Sequence, residues 1–216
     1  MIKAIILDFD GLIIDTESTW YRAFYDVLSS YNIPFTDSEF SQFIGSHEEN
    51  FFRYLHQKIG HQIDDEIVKQ QAYKKHREFM KQEPLREGVL DYLQEAKASG
   101  LKIGLATSSS IDWVSHFLKP FEIEHYFEVM MTREKVKNIK PHPDLYLQAT
   151  AHLGVKPHES VAFEDSVNGV KAAKNAGMKC VVVPNETTKH LTFPPVDLHL
   201  SSMKELSLQE VIAKVT

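Results

Sequence analysis

The sequence has little cysteine: Cys180 is the one cysteine among 216 residues. A single cysteine excludes an intramolecular disulfide framework, and it equally excludes a zinc site built on paired cysteines. This cysteine usage fits a reducing compartment, so we expect the protein to reside in the cytoplasm.

Long apolar runs are also missing. The apolar stretch of residues 2–7 is interrupted by Asp8, which leaves it too short for the core of a signal peptide or for a spanning helix. No later segment approaches the ~18 consecutive apolar residues that a spanning helix needs. We therefore expect a soluble protein that has no membrane partner.

Blocks of one charge sign are absent as well. The 24 basic and 30 acidic residues, with a formal net charge of −6, are interspersed along the chain. This balance argues against a general nucleic-acid surface and favours small solutes as partners. The chain has no internal repeat, and its hydrophobic content of 43% is sufficient for a packed core.

What is present is a periodic spacing of hydrophobic residues, and this spacing changes twice along the chain. Residues 2–7 are continuously apolar, which is typical of a strand buried on both faces of a parallel sheet. Residues 18–81 instead show four amphipathic helical patterns. From residue 83 onward, strands and helices alternate. We predict an α/β fold with a doubly wound, Rossmann-like parallel sheet formed by residues 1–15 and 83–216, interrupted by an inserted helical cap of residues 16–82.

Polar side chains follow successive strands of this predicted sheet, where ligands bind in open α/β folds. They are Asp8 and Asp10 in "DFDG", Thr107 and Ser108 in "ATSSS", Lys140 in "KPHPD", and Glu164 and Asp165 in "FEDS". Each motif alone has an ordinary explanation as a turn, a helix cap or a surface lysine. Their joint occurrence at successive strand ends favours a common site.

These residue types suit phosphoryl chemistry. Mg²⁺ prefers oxygen ligands, and Asp8, Asp10 and Asp165 can supply carboxylates. Phosphate oxygens need hydroxyl, backbone N–H and cationic donors, which the Thr107 hydroxyl, the "TSSS" turn and Lys140 can provide. A carboxylate can also attack phosphorus and form a covalent aspartyl-phosphate.

The ordered motifs "DFDGLIIDTE", "ATSSS", "KPHPD" and "FEDSVNG" resemble those of the haloacid dehalogenase superfamily. The helical insertion after the first motif is similar to the small cap of the β-phosphoglucomutase-like group. The resemblance implies that Asp8 is the nucleophile, and that Asp10 is the general acid and base and offers its backbone carbonyl to Mg²⁺.

The same resemblance assigns the other motif residues. Thr107 and Lys140 would hold phosphoryl oxygens, with Ser108 in the same phosphate-binding turn. Asp165 would complete the Mg²⁺ ligands together with Asp8, and Glu164 would act on the metal directly or through a water molecule. The expected activity is Mg²⁺-dependent hydrolysis of a small sugar or polyol phosphate.

Other reactions of the superfamily fit less well. A haloacid dehalogenase requires neither Asp10 nor the pair Glu164 and Asp165. A phosphoglucomutase acting on a hexose phosphate is the main alternative, but Trp20 stands where that activity would have a histidine, and the cap loop "IGSHEEN" has no arginine. A receiver-like regulator or a non-catalytic binding protein is a further alternative.

Substrate choice is expected to depend on the cap, because the sheet residues recognise little beyond phosphate. The candidates for contact with the substrate are Glu17, Trp20, Tyr21 and His47. For Trp20 and Tyr21 the alternative is packing inside the cap, and for His47 it is a solvated position at a helix start. We expect the protein to act as a monomer.

Overall fold

The computed structural model describes residues 1–44, 48–60 and 63–216. Within this part of the chain, six strands form one parallel sheet in the order β3-β2-β1-β4-β5-β6. The strands are β1 (Ala4–Leu7), β2 (Lys102–Ala106), β3 (Val129–Met131), β4 (Ser160–Glu164), β5 (Lys179–Val182) and β6 (Leu198–His199). The prediction of a doubly wound, Rossmann-like α/β sheet is thereby confirmed.

Helices cover both faces of the sheet. They are α5 (Val89–Ala98), α6 (Ile111–Leu118), α7 (Asp144–Leu153), α8 (Val167–Asn175) and α9 (Leu208–Val215). Alternate residues of β1 point to opposite faces: Ile5 and Leu7 join the apolar cluster with α5, α6 and α9, while Ala4 and Ile6 join the cluster with α7 and α8. Burying each large aliphatic side chain contributes about 1.5–3 kcal/mol. Both faces of β1 must therefore be apolar, which explains its continuous pattern.

Among the described residues, four α-helices lie between β1 and the rest of the α/β unit in sequence. They are α1 (Thr16–Ser30), α2 (Asp37–Phe40), α3 (Glu48–Ile59) and α4 (Asp65–Met80). Their apolar faces form a third cluster, rich in phenylalanine and separate from the two sheet clusters. The helical character predicted for this region is present, and we call residues 16–80 the helical segment.

The chain enters and leaves the helical segment at one place. The Asp15 side chain caps α1 by accepting a hydrogen bond from the Ser18 N–H at 3.0 Å. On the return path, Leu85 forms an antiparallel bridge with Ile14, and the Arg86 N–H donates to the Ile13 carbonyl. The two crossings thus lie side by side beside the first motif. The boundaries 1–15, 16–82 and 83–216 stay a prediction that agrees with this layout.

Two sequence features acquire a position in the fold. The Cys180 thiol is buried in β5, and burial raises its pKa above the ordinary range. Among the helices of the described residues, none combines the length and the apolar character required to cross a membrane.

Candidate active site

The candidate site lies at the carboxyl ends of the three central strands. Because β1 pairs with both β2 and β4, with Leu7 opposite Leu105 and Phe163, the loops that follow these strands are neighbours. A cavity of about 370 Å³ opens there. Its lining includes six predicted residues of the α/β unit: Asp8, Asp10, Thr107, Ser108, Lys140 and Asp165. The structure therefore brings these residues together, while their chemical roles stay predictions.

Asp8, Lys140 and Glu164 form a buried ionic group. The Lys140 ammonium lies 2.7 Å from Asp8 Oδ1 and 2.7 Å from Glu164 Oε1. Burial, reinforced by the negative charge of Glu164, raises the pKa of Asp8 to about 7, although Lys140 opposes this shift. Burial alone would lower the pKa of Lys140, but Asp8 and Glu164 outweigh it and raise that pKa. Lys140 thus stays cationic and partly offsets two adjacent acids.

The position of Glu164 is fixed from three directions. Its Oε1 accepts hydrogen bonds from the Tyr146 hydroxyl and contacts Lys140, and its Oε2 accepts from the Ser166 hydroxyl at 3.4 Å. Burial raises the pKa of Tyr146 well above its ordinary value, so its hydroxyl remains a donor. Tyr146 lies on α7, whereas Lys140 lies in the loop that precedes this helix.

Three carboxylates could hold a metal ion. Oxygen atoms of Asp8, Glu164 and Asp165 lie within 4.8 Å of one another, and all three residues are buried. Asp165 Oδ2 accepts a hydrogen bond from Asn185 at 2.8 Å, but the buried Asp165 Oδ1 has no hydrogen-bond partner. Burial, together with Asp8 and Glu164, raises the pKa of Asp165 well above its ordinary value. A hard divalent cation fits this site, because it would supply both the missing partner and positive charge.

Asp10 lies beside this group and has different partners. Its Oδ2 accepts from the Ser109 hydroxyl at 2.5 Å and from the Thr107 hydroxyl at 3.4 Å, and its Oδ1 accepts from Trp113 Nε1 at 2.8 Å. Burial raises the pKa of Asp10, although the hydrogen bonds from Ser109 and Trp113 partly counteract the effect. Two carboxylates two residues apart therefore have distinct environments, as an acid and a nucleophile require.

The second motif forms a turn that leads into a helix. Ser110 is the N-cap of α6, where its hydroxyl accepts from the Trp113 N–H at 3.3 Å. The Ser109 N–H donates to the Thr107 hydroxyl at 3.0 Å. The hydroxyls and backbone groups of this turn line the cavity next to Lys140, which suits the binding of phosphate oxygens.

The candidates in the helical segment separate into three outcomes. Glu17 and Trp20 line the cavity, and burial, followed by Asp10 and Asp15, raises the pKa of Glu17 to about 8. Tyr21 was expected as a contact but packs against the segment's own cluster, with Phe35 and Phe40 as ring neighbours. This is the alternative outcome stated for it, since its side of α1 faces the other helices. His47 lies outside the described residues.

Several residues of the site were not identified from the sequence. They are Ser109, Trp113 and Arg133, which line the cavity; Tyr73 and Ile44, which line it from the helical segment; and Asn185 and Tyr146, which hold Asp165 and Glu164. Asn185 had a usable signal, because it follows β5 and so obeys the strand-end rule that located Asp165. Tyr146 and Tyr73 lie within amphipathic helices, where an aromatic residue is usually a packing residue.

Comparison with known proteins agrees with this geometry. The family described as haloacid dehalogenase-like hydrolase matches residues 5–183. The Bacillus subtilis (strain 168) protein called "Putative phosphatase YhcW" is 45% identical over 210 residues, which cover 96% of this chain and 95% of that protein.

Hexitol phosphatase B of Escherichia coli (strain K12) is 34% identical over 98% of this chain and 97% of its own length. Among solved structures, a mutant of CbbY from Rhodobacter sphaeroides in complex with xylulose-(1,5)bisphosphate is 30% identical, with a TM-score of 0.75. That similarity covers 95% of this chain and 96% of the CbbY chain.

Proposed function

The chain belongs to the haloacid dehalogenase-like hydrolase family and is a phosphatase, and we propose that it hydrolyses small sugar or polyol phosphates through an aspartyl-phosphate on Asp8. One observation carries the proposal. Asp8 and Lys140, which belong to the buried ionic group with Glu164 and its 2.7 Å contacts, line the same cavity as a second, differently held acid, Asp10. A nucleophile, its counterion and an acid are thus present within one site.

We propose that Mg²⁺ is held by the side chains of Asp8 and Asp165 and by the backbone carbonyl of Asp10, with Glu164 acting directly or through water. The unpartnered Asp165 Oδ1 and the three clustered carboxylates support this assignment. When bound, the cation supplies positive charge beside the phosphate oxygens and favours the ionised form of Asp8.

The first half of the reaction follows from the separate environments of the two acids. An Asp8 carboxylate oxygen attacks phosphorus, and the bond between phosphorus and the alcohol oxygen breaks. The departing oxygen takes a proton from Asp10, whose pKa is raised by burial. Lys140 remains cationic beside the phosphoryl group, and the "TSSS" turn provides hydroxyl and N–H donors.

In the second half, water attacks phosphorus in the aspartyl-phosphate and the bond to Asp8 breaks. The proton of the attacking water passes to Asp10, which is thereby ready for another cycle. Acid and base assistance of this kind contributes about 10²–10⁴-fold to the rate. Loss of Asp10 should therefore reduce turnover strongly while leaving the phosphate-binding groups in place.

The proposed substrate class rests on two kinds of support. Hexitol phosphatase B is one of the relatives, and a related CbbY structure holds a sugar bisphosphate. In this chain, Glu17 and Trp20 line the cavity from the helical segment, which we propose acts as a cap. A carboxyl group and an indole ring suit the hydroxyls and the apolar face of a small polyol. His47 also remains a proposed contact with the substrate. We further propose that the protein is a monomer and resides in the cytoplasm.

The test is a measurement of phosphate release by the purified protein. We expect Mg²⁺-dependent hydrolysis of p-nitrophenyl phosphate, and no hydrolysis by Asp8→Asn, which keeps the size of the side chain but loses the nucleophile. A panel of hexitol, hexose and pentose phosphates should then contain the preferred substrate. Full activity of Asp8→Asn, or an inactive folded parent protein, would contradict the proposal.

The same panel separates hydrolysis from phosphoryl transfer. Product analysis by ³¹P NMR would detect an isomerised hexose phosphate as a new ester signal, whereas a phosphatase yields inorganic phosphate. Isomerisation without net phosphate release would favour the mutase alternative. We expect inorganic phosphate, because Trp20 stands where the mutase resemblance requires a histidine.

A further inference from the structure

Three aromatic rings connect the helical segment to Asp10. The Trp20 and His76 rings are parallel within 9°, with centroids 3.7 Å apart, and the His76 and Trp113 rings follow at 5.6 Å and 19°. Trp20 lies on α1, His76 on α4 and Trp113 on α6. The last ring donates its Nε1–H to Asp10 Oδ1 at 2.8 Å. We call Trp20, His76 and Trp113 the ring stack.

Trp113 is held by the α/β unit as well as by the stack. Its backbone lies in the first turn of α6, where its N–H is bonded to the capping Ser110 hydroxyl. Its ring also packs edge-on against Phe117, with centroids 4.6 Å apart. The indole N–H is therefore a fixed donor, in contrast to the Ser109 hydroxyl, which can rotate.

The hydrogen-bond chemistry distinguishes the two oxygens of Asp10. An indole N–H can only donate, so Oδ1 must act as the acceptor. A hydroxyl both donates and accepts, so the Ser109 hydroxyl can accommodate a proton on Oδ2, which lies 2.5 Å from it. An acid proton on Asp10 therefore belongs on Oδ2.

We propose that Trp113 is a positioning residue for Asp10, and that the cap rings of Trp20 and His76 hold its indole in place. This inference rests on the proposed function, in which Asp10 is the general acid and base. Trp113 fixes Oδ1 and so presents Oδ2 as the oxygen that exchanges the proton. Because two of the three stacked rings come from the helical segment, the orientation of Asp10 depends on the seating of the cap.

The decisive test is a variant of Trp113 that lacks the indole N–H but keeps the ring. Replacing Trp113 with β-(3-benzothienyl)alanine, in which sulfur takes the place of the indole N–H, preserves the stack and removes the donor. Trp113→Phe removes the donor and part of the ring. We expect kcat for p-nitrophenyl phosphate to fall about 10- to 100-fold in both variants, which is the range of one hydrogen bond to a charged group. KM should stay close to the parent value, because phosphate binding is not altered.

The contribution of the cap rings is tested by two matched substitutions of His76. His76→Phe keeps an aromatic ring between the two indoles, whereas His76→Ala removes it. We expect His76→Ala to lower kcat and His76→Phe to restore most of the loss. Thermal unfolding of each variant separates a loss of stability from a loss of turnover, since only folded variants enter the comparison.

Two results would overturn the inference. The first is a benzothienylalanine variant with the parent kcat, which would mean that only the packing of the ring matters. The second is a crystal structure of that variant in which the Asp10 carboxyl keeps the parent position. If the parent protein hydrolyses no phosphate ester, the proposed function fails. The crystal structure then decides the inference alone, because displacement of Asp10 supports it without any turnover.

Discussion

Gly169 packs directly against the carboxyl group of Glu164. A Cβ added at Gly169 would stand 1.8 Å from Glu164 Oε2 and 1.9 Å from its carboxyl carbon. Gly169 lies in the first turn of α8, the helix that follows the fourth motif. The absence of a side chain at this position is therefore what allows Glu164 to turn toward Lys140 and Tyr146.

Gly169→Ala should consequently damage the site even though alanine favours a helix. We expect Glu164 to be displaced from Lys140, with a loss of stability of about 1–3 kcal/mol from overpacking and a large loss of kcat. Gly100→Ala is the control, since its added methyl meets open space at a φ of +69° and should reduce stability without reducing kcat. Parent-like kinetics of Gly169→Ala would contradict this account.

Lys140→Met should destabilise the folded protein, because it leaves the buried carboxyl groups of Asp8 and Glu164 without their cation. We expect the free energy of unfolding in urea to fall by about 3–5 kcal/mol. Adding Glu164→Gln should recover part of the loss but none of the activity. Lys3→Met, which breaks the exposed contact with Glu159, should cost less than about 1 kcal/mol. Equal effects of the two single substitutions would refute the assignment.

His76 should make stability depend on pH. Burial lowers the pKa of His76 from 6.5 to about 4, so the unfolded chain binds the proton more readily than the folded protein does. Above pH 6.5 the neutral form of His76 predominates, and the free energy of unfolding has its full value. As the pH drops from 6.5 towards 4, the free energy of unfolding falls by about 3 kcal/mol in total. His76→Phe should remove this part of the pH dependence, whereas the exposed His152→Phe should retain it. Urea titrations across this range provide the measurement.

Mg²⁺ should stabilise the folded protein before any substrate is added. At a Mg²⁺ concentration about 100-fold above Kd, we expect the free energy of unfolding to rise by about 2.7 kcal/mol. This corresponds to a Tm about 5–10 °C higher than in the presence of a chelator. The rise should shrink below pH 7, because protons compete for Asp8, whose pKa is about 7. Asp165→Asn should abolish it, while Asp197→Asn, which alters an acid paired with Lys174 and Lys179, should not. An unchanged Tm in the parent protein would exclude the metal site.

Much of the fold could be predicted from local patterns. The continuous apolar run of β1 indicates burial on both faces, and the turns that follow the strands carry Asp8, Thr107 and Asp165. Parallel strands end at one edge of a sheet, so these residues could be expected to converge without knowledge of a single contact. Asp15, which caps α1, also stands where a local pattern puts such a residue, immediately before an amphipathic helix.

Other assignments could not follow from such patterns. An aromatic residue on an amphipathic helix faces either the interior or the cavity, and its type does not distinguish them. Tyr21 and its neighbour Trp20 both pack against the cluster of the helical segment. Only Trp20 also lines the cavity, because adjacent residues on a helix point in directions about 100° apart. The rotation of α1 relative to the sheet determines which of them meets the substrate.

The sequence by itself determined the order of strands and helices and the acids, hydroxyls and lysine at the strand ends, because periodicity and strand direction are local properties. Only the tertiary structure decided the partners of those groups. Lys140 between Asp8 and Glu164, Asn185 on Asp165, and Trp113 on Asp10 are contacts between residues distant in sequence. They arise from the packing of complete elements, which sets the distances on which charge, hydrogen bonding and catalysis depend.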